Sequence, residues 1–322
     1  MLAAFVTQAN PSDPLAALHV ADRPDPEVPE GWVSVRMRAT SLNHHDLWSL
    51  RGVGLPAERM PMILGTDAAG TTDDGRDVIV HAVIASPGWT GDETLDPRRT
   101  LLSELHQGTL AEYVAVPEGN LVDKPAELSF EDAACLPSVW LTAYRMLTRN
   151  GLAAGDTVLV QGSSGGVASA AIQLGKLLGL RTWATARTPA KEAFAVDLGA
   201  DAAFASGARL PERVDAVIDT VGEATWSHSL RALRPGGTVI ISGATSGYNP
   251  PAELNRIFFL QLRVQGSTMG THGELVELVD LLVASGVRPR IDRVLSLEAA
   301  ADGLAALEAG EVLGKVVLTA RT

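Results

Sequence analysis

Residues 157–176 constrain the fold more than any other part of the chain. They open with an apolar run at 158–160, a pattern typical of a strand buried on both faces of a parallel sheet. A glycine-rich turn follows, and apolar residues then recur at helical spacing. Glycines let the backbone approach a diphosphate, and free N–H groups in the first turn of a helix bind anions. The stretch therefore predicts a nucleotide site, with a tight strand-to-helix turn of no binding role as the alternative. The turn residues expected to bind the phosphates are Gly162, Ser163, Ser164, Gly165, Gly166 and Val167.

The composition is that of a globular protein long enough for two domains. The 322 residues are 46% hydrophobic and 20% charged. The net charge of −12 argues against nucleic-acid binding, which depends on Lys and Arg. No apolar run approaches the ~20 residues that span a bilayer, and the N-terminus lacks a signal-peptide pattern. Cys135 is the only cysteine, so no disulfide forms within the chain. We expect a cytoplasmic protein that binds neither nucleic acid nor membrane.

The pattern of the chain changes near residue 124. Before it, strand patterns occur at 31–39, 77–82 and 111–116. From Ser129 onward, helical patterns alternate with short apolar strands at 158–160, 182–186, 216–218, 238–242 and 263–266. Such alternation predicts βα units and a parallel sheet. We therefore expect an α/β fold in which a mostly β domain precedes a nucleotide-binding domain.

The end of the second parallel strand indicates which dinucleotide binds. A site for NAD normally has Asp or Glu there, and the carboxylate binds the ribose 2′-hydroxyl. Here the strand at 182–186 is followed by Arg187 and Thr188, with Lys191 close behind. Cations at this point favour a ribose 2′-phosphate, so the sequence predicts NADPH. The alternative is that Arg187 and Lys191 are solvated charges at the start of a helix.

Separated motifs along the chain occur in the order of one known family. The glycine pattern A/G-x-x-G-x-x-G/A fits Gly162, Gly165 and Ala168. Further matching segments lie at 41–48, 61–70, 108–113, 136–144, 219–222, 234–237, 266–270 and 314–318. Together they cover nearly the whole chain. The chain resembles the medium-chain dehydrogenase/reductase superfamily, in particular its zinc-free quinone-oxidoreductase-like branch.

The resemblance implies a GroES-like, mostly β catalytic domain and a Rossmann domain with a doubly wound parallel sheet, with NAD(P)H in the cleft. The expected boundaries are 1–123 for the catalytic domain, 124–269 for the cofactor domain and 270–322 for a C-terminal return to the first. Further residues expected to contact the cofactor are Gly243, Ala244, Ser267, Thr268, Met269 and Lys315. A homodimer is also implied, formed through edge strands near 238–242 and 263–266.

The metal-ligand positions of zinc-dependent relatives carry other residues in this chain. Asn43 stands where those enzymes have a cysteine, and Thr66 and Asp67 stand where they have His and Glu. The lobe for structural zinc would fall between Ala82 and Gly108, a stretch without cysteine. Without zinc, an enzyme cannot polarise an alcohol as a metal alkoxide. We therefore expect no zinc site and no zinc-dependent alcohol oxidation.

Four residues are candidates for the chemistry: Asn43, His45, Asp46 and Thr142. The amide of Asn43 is suited to a ribose or a substrate carbonyl, and Asp46 is expected mainly to orient its neighbours. His44 and His45 would point in opposite directions in an extended strand, so they could not easily share one metal. One of them, His45 in particular, is a candidate proton donor that faces the cleft. Thr142 matches a threonine that lies near the nicotinamide in relatives. Each has a structural alternative, such as a turn asparagine, a packed histidine or a threonine that bonds its own helix.

These observations predict an NADPH-dependent, zinc-independent oxidoreductase that transfers hydride to a quinone or to the β-carbon of an activated alkene. The cofactor carries the difficult chemistry, and the protein positions it against a small-molecule acceptor. Two alternatives stay open, an NADPH-binding protein of little activity and a metal-independent carbonyl reductase. The substrate is not predicted, because pockets of this fold are built from variable loops.

Overall fold

The structure is a computed structural model that describes residues 1–320. By their internal contacts the residues form two compact units. The first combines Met1–Val139 with the segment that begins at Met269, and the second is Trp140–Thr268. Residues 124–139, which the sequence assigned to the cofactor domain, therefore belong by their contacts to the first unit.

Strands predominate in the first part of the chain, and strands alternate with helices from Thr157 onward. The strands are β1 (Leu2–Val6), β2 (Leu18–Asp22), β3 (Trp32–Ser41), β4 (Met62–Ile63), β5 (Ala68–Thr72), β6 (Asp77–Val80), β7 (Val83–Ile84), β8 (Thr100–Leu101), β9 (Tyr113–Pro117), β10 (Leu121–Asp123), β11 (Thr157–Val160), β12 (Arg181–Ala186), β13 (Ala202–Ala205), β14 (Val214–Asp219), β15 (Leu233–Ile241), β16 (Arg263–Gly266), β17 (Ile291–Ser296) and β18 (Lys315–Thr319). The α-helices are α1 (His44–Leu50), α2 (Phe130–Ala133), α3 (Leu141–Thr148), α4 (Gly166–Leu177), α5 (Pro189–Asp197), α6 (Glu223–Ala232), α7 (Leu254–Phe259), α8 (His272–Ser285) and α9 (Ala300–Glu308). Short 3-10 turns lie at Pro14–Ala17, Ala57–Arg59, Glu93–Leu95, Glu118–Asn120 and Leu297–Ala299, and a π-helical turn lies at Leu136–Trp140.

The first unit is built around β3, the longest strand of its large sheet. The strand order is β10-β6-β5-β3-β18-β17, and β9 also pairs with β3. β18 runs antiparallel to β3, with Val317 opposite Ser41. The segment that begins at Met269 is thereby joined to the N-terminal part of the chain. This mostly β unit confirms the predicted GroES-like domain in its general character.

The second unit contains a six-stranded parallel sheet in the order β13-β12-β11-β14-β15-β16. All four residues of β11 are buried, as expected for a central parallel strand. The chain passes from β11 to β12 and β13 on one side, then returns to β14 on the other side of β11. Ligands of doubly wound sheets bind at the carboxyl ends of strands beside such a reversal. The predicted α/β class and Rossmann sheet are confirmed.

Three local expectations differ from the structure. The sequence does not predict β13, because this strand has only four residues, AAFA, without a clear strand pattern. In the structure it is only half-buried. The expected edge strand near 238–242 is wrong, since β15 pairs with β14 and β16 on its two sides. β16 does lie at the edge, and all four of its residues are exposed. Residues 44 and 45 were treated as extended, but they begin α1. Within residues 1–320, no helix combines the length and apolar character that crossing a membrane requires.

Candidate functional site

The predicted glycine turn joins β11 to α4 at the carboxyl edge of the second unit's sheet. Gly162 has φ = +86°, a conformation that favours glycine, and its N–H donates to Thr185 Oγ1 at 3.0 Å. A Cβ added at Gly165 would meet no atom within 4 Å. α4 begins at Gly166 without a capping side-chain hydrogen bond. Because the first N–H groups of a helix have no partner inside it, the turn offers open space and free donors. This geometry fits a dinucleotide diphosphate.

Arg187, Thr188 and Lys191 surround the point where β12 ends. The Thr188 side chain caps α5 by accepting from the N–H of Lys191, and Arg187 is exposed. Burial and the positive charge of Arg187 lower the pKa of Lys191. The two cations are therefore close enough to repel each other. Ser163 Oγ donates to the Lys191 carbonyl at 2.9 Å and ties the glycine turn to this corner. The arrangement fits the predicted 2′-phosphate.

Buried polar side chains that the sequence did not single out hold this edge in place. Gln161 Nε2 lies 2.9 Å from both His228 Nδ1 and Ser229 Oγ, and Gln161 Oε1 accepts from Thr185. Asp219, at the end of β14, accepts from the N–H groups of residues 221 and 222 at 2.9 and 3.0 Å. The Asp219 segment was noted only as a family motif. Gln161 carried no signal, because its partners are distant in the chain.

The remaining predicted cofactor residues lie at strand ends. Gly243 and Ala244 follow β15, and Ser267 and Thr268 follow β16, so they share the carboxyl edge with the glycine turn. Ser267 Oγ is buried without a hydrogen-bond partner among the described residues. Met269 belongs to the first unit instead. Thr142 is 5% exposed in α3. The roles of these residues stay predictions.

A buried ion pair lies in the first unit, at the positions that correspond to metal ligands in zinc-dependent relatives. Asp67 is fully buried, and its Oδ2 lies 3.4 Å from Lys315 Nζ. Lys315 Nζ also donates to Asn43 Oδ1 at 2.7 Å and to the Leu42 carbonyl at 2.8 Å. Asn43 Nδ2 and Ser41 Oγ donate to Asp67 Oδ2 at 2.8 and 2.7 Å. Asp67 Oδ1 has no partner among the described residues.

These contacts engage Asn43 and Lys315 with neighbouring protein groups, and their expected roles at a substrate or cofactor stay predictions. The ammonium has three hydrogens, and three acceptors already engage it. The Asn43 oxygen accepts from Lys315, its amide nitrogen donates to Asp67, and the residue is 6% exposed. The ammonium therefore has no hydrogen left for another acceptor, and the second amide hydrogen of Asn43 has only the distant acceptors Ser41 O and Thr66 Oγ1, each at 3.4 Å. Both side chains join the start of β18 to the turn between β3 and α1.

The same cluster does not fit zinc. The carboxylate of Asp67 is already neutralised by an ammonium group, and Thr66 offers a hydroxyl that lies 2.9 Å from Ser138 Oγ. Zinc sites in proteins use thiolate, imidazole or carboxylate ligands. In the part of the chain that the structure describes, no group of three or more His, Cys, Asp or Glu side chains is arranged to hold a metal ion.

Asp46 and His45 occupy the first turn of α1. Asp46 accepts from the N–H groups of Asn43 and Gly65 at 2.8 and 3.0 Å, which agrees with its expected orienting role. Burial raises the pKa of its carboxyl group. His45 Nε2 lies 3.0 Å from Glu104 Oε1. Burial lowers the pKa of His45, but the Glu104 hydrogen bond and the charges of nearby carboxylates outweigh it, so the net shift is upward.

His44 differs from its neighbour in its electrostatic surroundings. Burial and the positive charges of Lys315 and Arg51 lower its pKa. Of the two histidines, only His45 is therefore stabilised in the protonated form that a proton donor needs. The sequence did not indicate Glu104, because 59 residues separate it from His45.

Two family descriptions match the chain. The family described as "Alcohol dehydrogenase GroES-like domain" matches residues 29–126, in the first unit. The family described as "Zinc-binding dehydrogenase" matches residues 166–284, which begin at the last glycine of the turn. That description mentions zinc, but this chain has Asn43, Thr66 and Asp67 at the corresponding positions.

Known proteins resemble the chain over most of its length. The 2-methylene-furan-3-one reductase of Solanum lycopersicum is 30% identical, and the match covers 91% of this chain and 73% of that protein. A solved NAD-dependent alcohol dehydrogenase is 35% identical, with a TM-score of 0.91 and coverage of 99% of both chains. The 2-octenoyl-CoA carboxylase reductase CinF, solved with NADP and 2-octenoyl-CoA, is 26% identical, with a TM-score of 0.90 and coverage of 99% of this chain and 87% of that one. The chain therefore belongs to the medium-chain dehydrogenase/reductase superfamily and is an NAD(P)H-dependent oxidoreductase.

Proposed function

We propose that the protein is an NADPH-dependent, zinc-independent reductase of alkenes activated by a neighbouring carbonyl. The observation that carries this proposal is the cluster of Asn43, Thr66 and Asp67, because Asn43 and Thr66 replace two metal ligands and Lys315 neutralises the Asp67 carboxylate. An activated alkene accepts hydride at its β-carbon while electrons move to its own carbonyl, so no metal is required. Two relatives described above, the furanone reductase and CinF, are named for substrates of this kind.

NADPH is favoured over NADH by the corner after β12. None of residues 187–191 is acidic, and the positive charges of Arg187 and Lys191 repel each other. A 2′-phosphate would relieve the repulsion between these cations, whereas a bare ribose would find no carboxylate there. The NADP bound to CinF supports this assignment, while the NAD-dependent alcohol dehydrogenase shows that the fold also serves NAD.

His45 is the proposed proton donor. NADPH, when bound, supplies the hydride that forms the new C–H bond at the β-carbon. The Nε2 hydrogen of His45 faces Glu104, whereas Nδ1 is buried without a hydrogen-bond partner among the described residues. The Nδ1 proton is therefore the one that would pass to the α-carbon of the enolate. The Glu104 carboxylate favours the protonated form of His45 over the neutral form. Water would return the proton after each turnover. Asp46 orients the start of α1, on which His45 lies.

Metal-independent reduction of a carbonyl is the second candidate, favoured by the 35% identity to an alcohol dehydrogenase. NADPH oxidation should be followed at 340 nm with enones, enoyl thioesters, quinones and aldehydes, each with and without a chelator. We expect turnover of the alkenes that the chelator does not change. Faster turnover of aldehydes would favour the second candidate, and no turnover despite tight NADPH binding would contradict both.

The same assay tests the cofactor assignment. The wild type should use NADPH in clear preference to NADH, and Arg187→Asp should reverse that preference, because the new carboxylate would repel a 2′-phosphate and accept from a ribose hydroxyl. Arg209→Asp, at an exposed site of the same unit, is the control. Equal use of the two cofactors by the wild type would disprove our interpretation of Arg187.

We also propose a homodimer formed through β16. This strand lies at the edge of the parallel sheet and is exposed along its whole length. Exposed apolar side chains lie on it and on the preceding helix, namely Leu254, Phe258, Phe259 and Val264. An unpaired strand edge beside apolar groups favours pairing with a second copy.

A further inference from the structure

A cavity of about 290 Å³ lies on the exposed face of the large sheet in the first unit. It is lined by Arg36, Arg38, Thr71, Thr72, Asp73 and Tyr113. None of these residues belongs to the glycine turn or to the Lys315–Asp67 cluster. Along β3, positions 35, 37 and 39 are buried while Arg36 and Arg38 are exposed. Because side chains alternate along a strand, both guanidinium groups leave the same face of the sheet.

Strand pairing places the Tyr113 side chain, a further donor, beside Arg36. Arg36 is directly opposite Tyr113 of β9 on one side and Thr71 of β5 on the other, and the Thr71 hydroxyl already donates to Asp77 Oδ1 at 2.9 Å. Side chains directly opposite each other have Cβ atoms about 5 Å apart on one face. The register between β3 and β5 shifts between Met37 and Ala39, which marks a bulge at Arg38. Bulges re-aim side chains, and here the bulged residue lines the same cavity as Arg36.

The two arginines have no anionic side chain as a partner in the part of the chain that the structure describes. Neither Arg36 nor Arg38 makes an ion pair within residues 1–320, although the chain carries 38 acidic residues and a net charge of −12. The guanidinium of Arg38 lies 4.8 Å from the Phe130 ring centroid, and Lys124 Nζ lies 4.6 Å from the same centroid. Among residues 1–320, Asp73 is the only acidic residue that lines the cavity, and it makes no ion pair with any of them. Adjacent uncompensated cations repel each other, and a bound oxyanion would remove that repulsion.

We propose that this cavity binds a phosphate group, either as the free ion or as a phosphate monoester. A guanidinium group presents a planar fork of N–H donors that matches the oxygens of phosphate. Two such forks suit a dianion better than a carboxylate, and the Tyr113 hydroxyl adds a neutral donor. The Asp73 carboxylate faces the same space and weakens the binding. The site is separate from the cofactor phosphates and does not depend on the reaction proposed above.

Calorimetric titration with inorganic phosphate and with adenosine 3′,5′-bisphosphate tests the site. The full chain should carry Arg187→Gln, which weakens binding at the cofactor corner, and only the affinity that depends on Arg36 and Arg38 is assigned to the cavity. In that background, Arg36→Gln or Arg38→Gln should weaken binding about tenfold, which corresponds to the loss of one charged hydrogen-bonding partner. Arg209→Gln, at an exposed arginine of the second unit, should leave the affinity unchanged. Equal affinities for the two probes indicate free phosphate as the ligand, and preference for the bisphosphate indicates a phosphate monoester.

Other patterns would overturn the proposal. They include no measurable binding of either probe in the millimolar range, and binding that persists in both Arg36→Gln and Arg38→Gln. A gain-of-function variant guards against misfolding as an explanation. Asp73→Asn removes the repelling carboxylate from the cavity and should tighten phosphate binding severalfold. An unchanged or weaker affinity in that variant would place the anion elsewhere.

Discussion

Lys315 and Asp67 form a charge pair that is withdrawn from water. Lys315 is 3% exposed and Asp67 is fully buried. Removing each charge from water costs several kcal/mol, and the pair persists because direct attraction and hydrogen bonds from Asn43 and Ser41 offset that cost. The contact joins the residue that precedes β5 to the start of β18, so its energetic role is to hold the first unit together.

Lys315→Met should therefore destabilise the protein by about 3–5 kcal/mol, because it leaves the Asp67 carboxylate buried without a cation. Urea unfolding of the apoprotein, followed by circular dichroism, measures the change. Lys176→Met, at an exposed lysine, should change stability by less than about 0.5 kcal/mol. Adding Asp67→Asn to Lys315→Met should recover part of the loss. A loss below about 1 kcal/mol in the single variant would contradict the assigned role.

His45 and Glu104 predict a pH dependence at the same scale. The pKa of His45 is raised in the folded protein, so its protonated form persists above the ordinary histidine value of about 6.5. Activity that needs this proton should fall only at higher pH, as His45 titrates. The stability that this group contributes is complete below pH ~6.5 and is lost as the pH rises through the folded value.

Glu104→Gln removes the charge that favours the protonated ring, so burial then dominates and the pKa of His45 falls. The alkaline limb of the kcat profile should move to lower pH, with a lower rate at pH 8. Glu58→Gln, at an exposed glutamate, is the control and should keep the wild-type profile. If Glu104→Gln and the wild type have the same alkaline limb, His45 is not the proton donor.

At the scale of elements, the turn between β11 and α4 contains a glycine, Gly165, that we expect to matter for cofactor binding and that the fold itself does not require. Gly165 has a negative φ of −73°, which any residue adopts, and a Cβ there meets open space. The fold therefore does not require a glycine at this position. A diphosphate seated on the start of α4 would approach the backbone closely, and a methyl group would stand in its way.

Gly165→Ala should leave the free energy of unfolding unchanged within about 0.5 kcal/mol while weakening NADPH binding about tenfold or more through overpacking. Thermal unfolding without cofactor and a fluorescence titration with NADPH give the two values. Gly119→Ala is the matched control, because an added Cβ there also meets open space and the site lies in the first unit. Unchanged NADPH affinity in Gly165→Ala would mean that the diphosphate does not lie on this turn.

At the scale of the whole molecule, the exposed edge at β16 predicts self-association. Val264 is 47% exposed on that strand. Val264→Glu places charges opposite each other when two copies pair, so the variant should be a monomer where the wild type is a dimer. Val294→Glu is a matched control, because Val294 is 49% exposed on β17, which ends the large sheet of the first unit. Sedimentation equilibrium at micromolar concentration measures both, and a monomeric wild type would contradict the dimer.

The sequence by itself determined those features that depend on residue type and near neighbours. A buried apolar strand, a glycine turn and a helix are readable from adjacent residues, and they led to the second unit's sheet and the diphosphate position. Arg187 follows β12 directly, so the cofactor preference could also be argued locally. The missing zinc ligands were visible as residue types at 43 and 66. These inferences hold because backbone conformation and local charge follow short-range rules.

Only the tertiary structure decided which distant residues meet. It paired Lys315 with Asp67 across 248 residues and His45 with Glu104 across 59. It also made β16 an edge and β15 an interior strand, and it grouped Arg36 with Tyr113 and Thr71. Strand order, burial and side-chain partners arise from packing across the chain, and residue spacing does not encode them locally. The glycine turn was therefore predictable from the sequence. The hydrogen bonds that engage the Asn43 and Lys315 side chains were not.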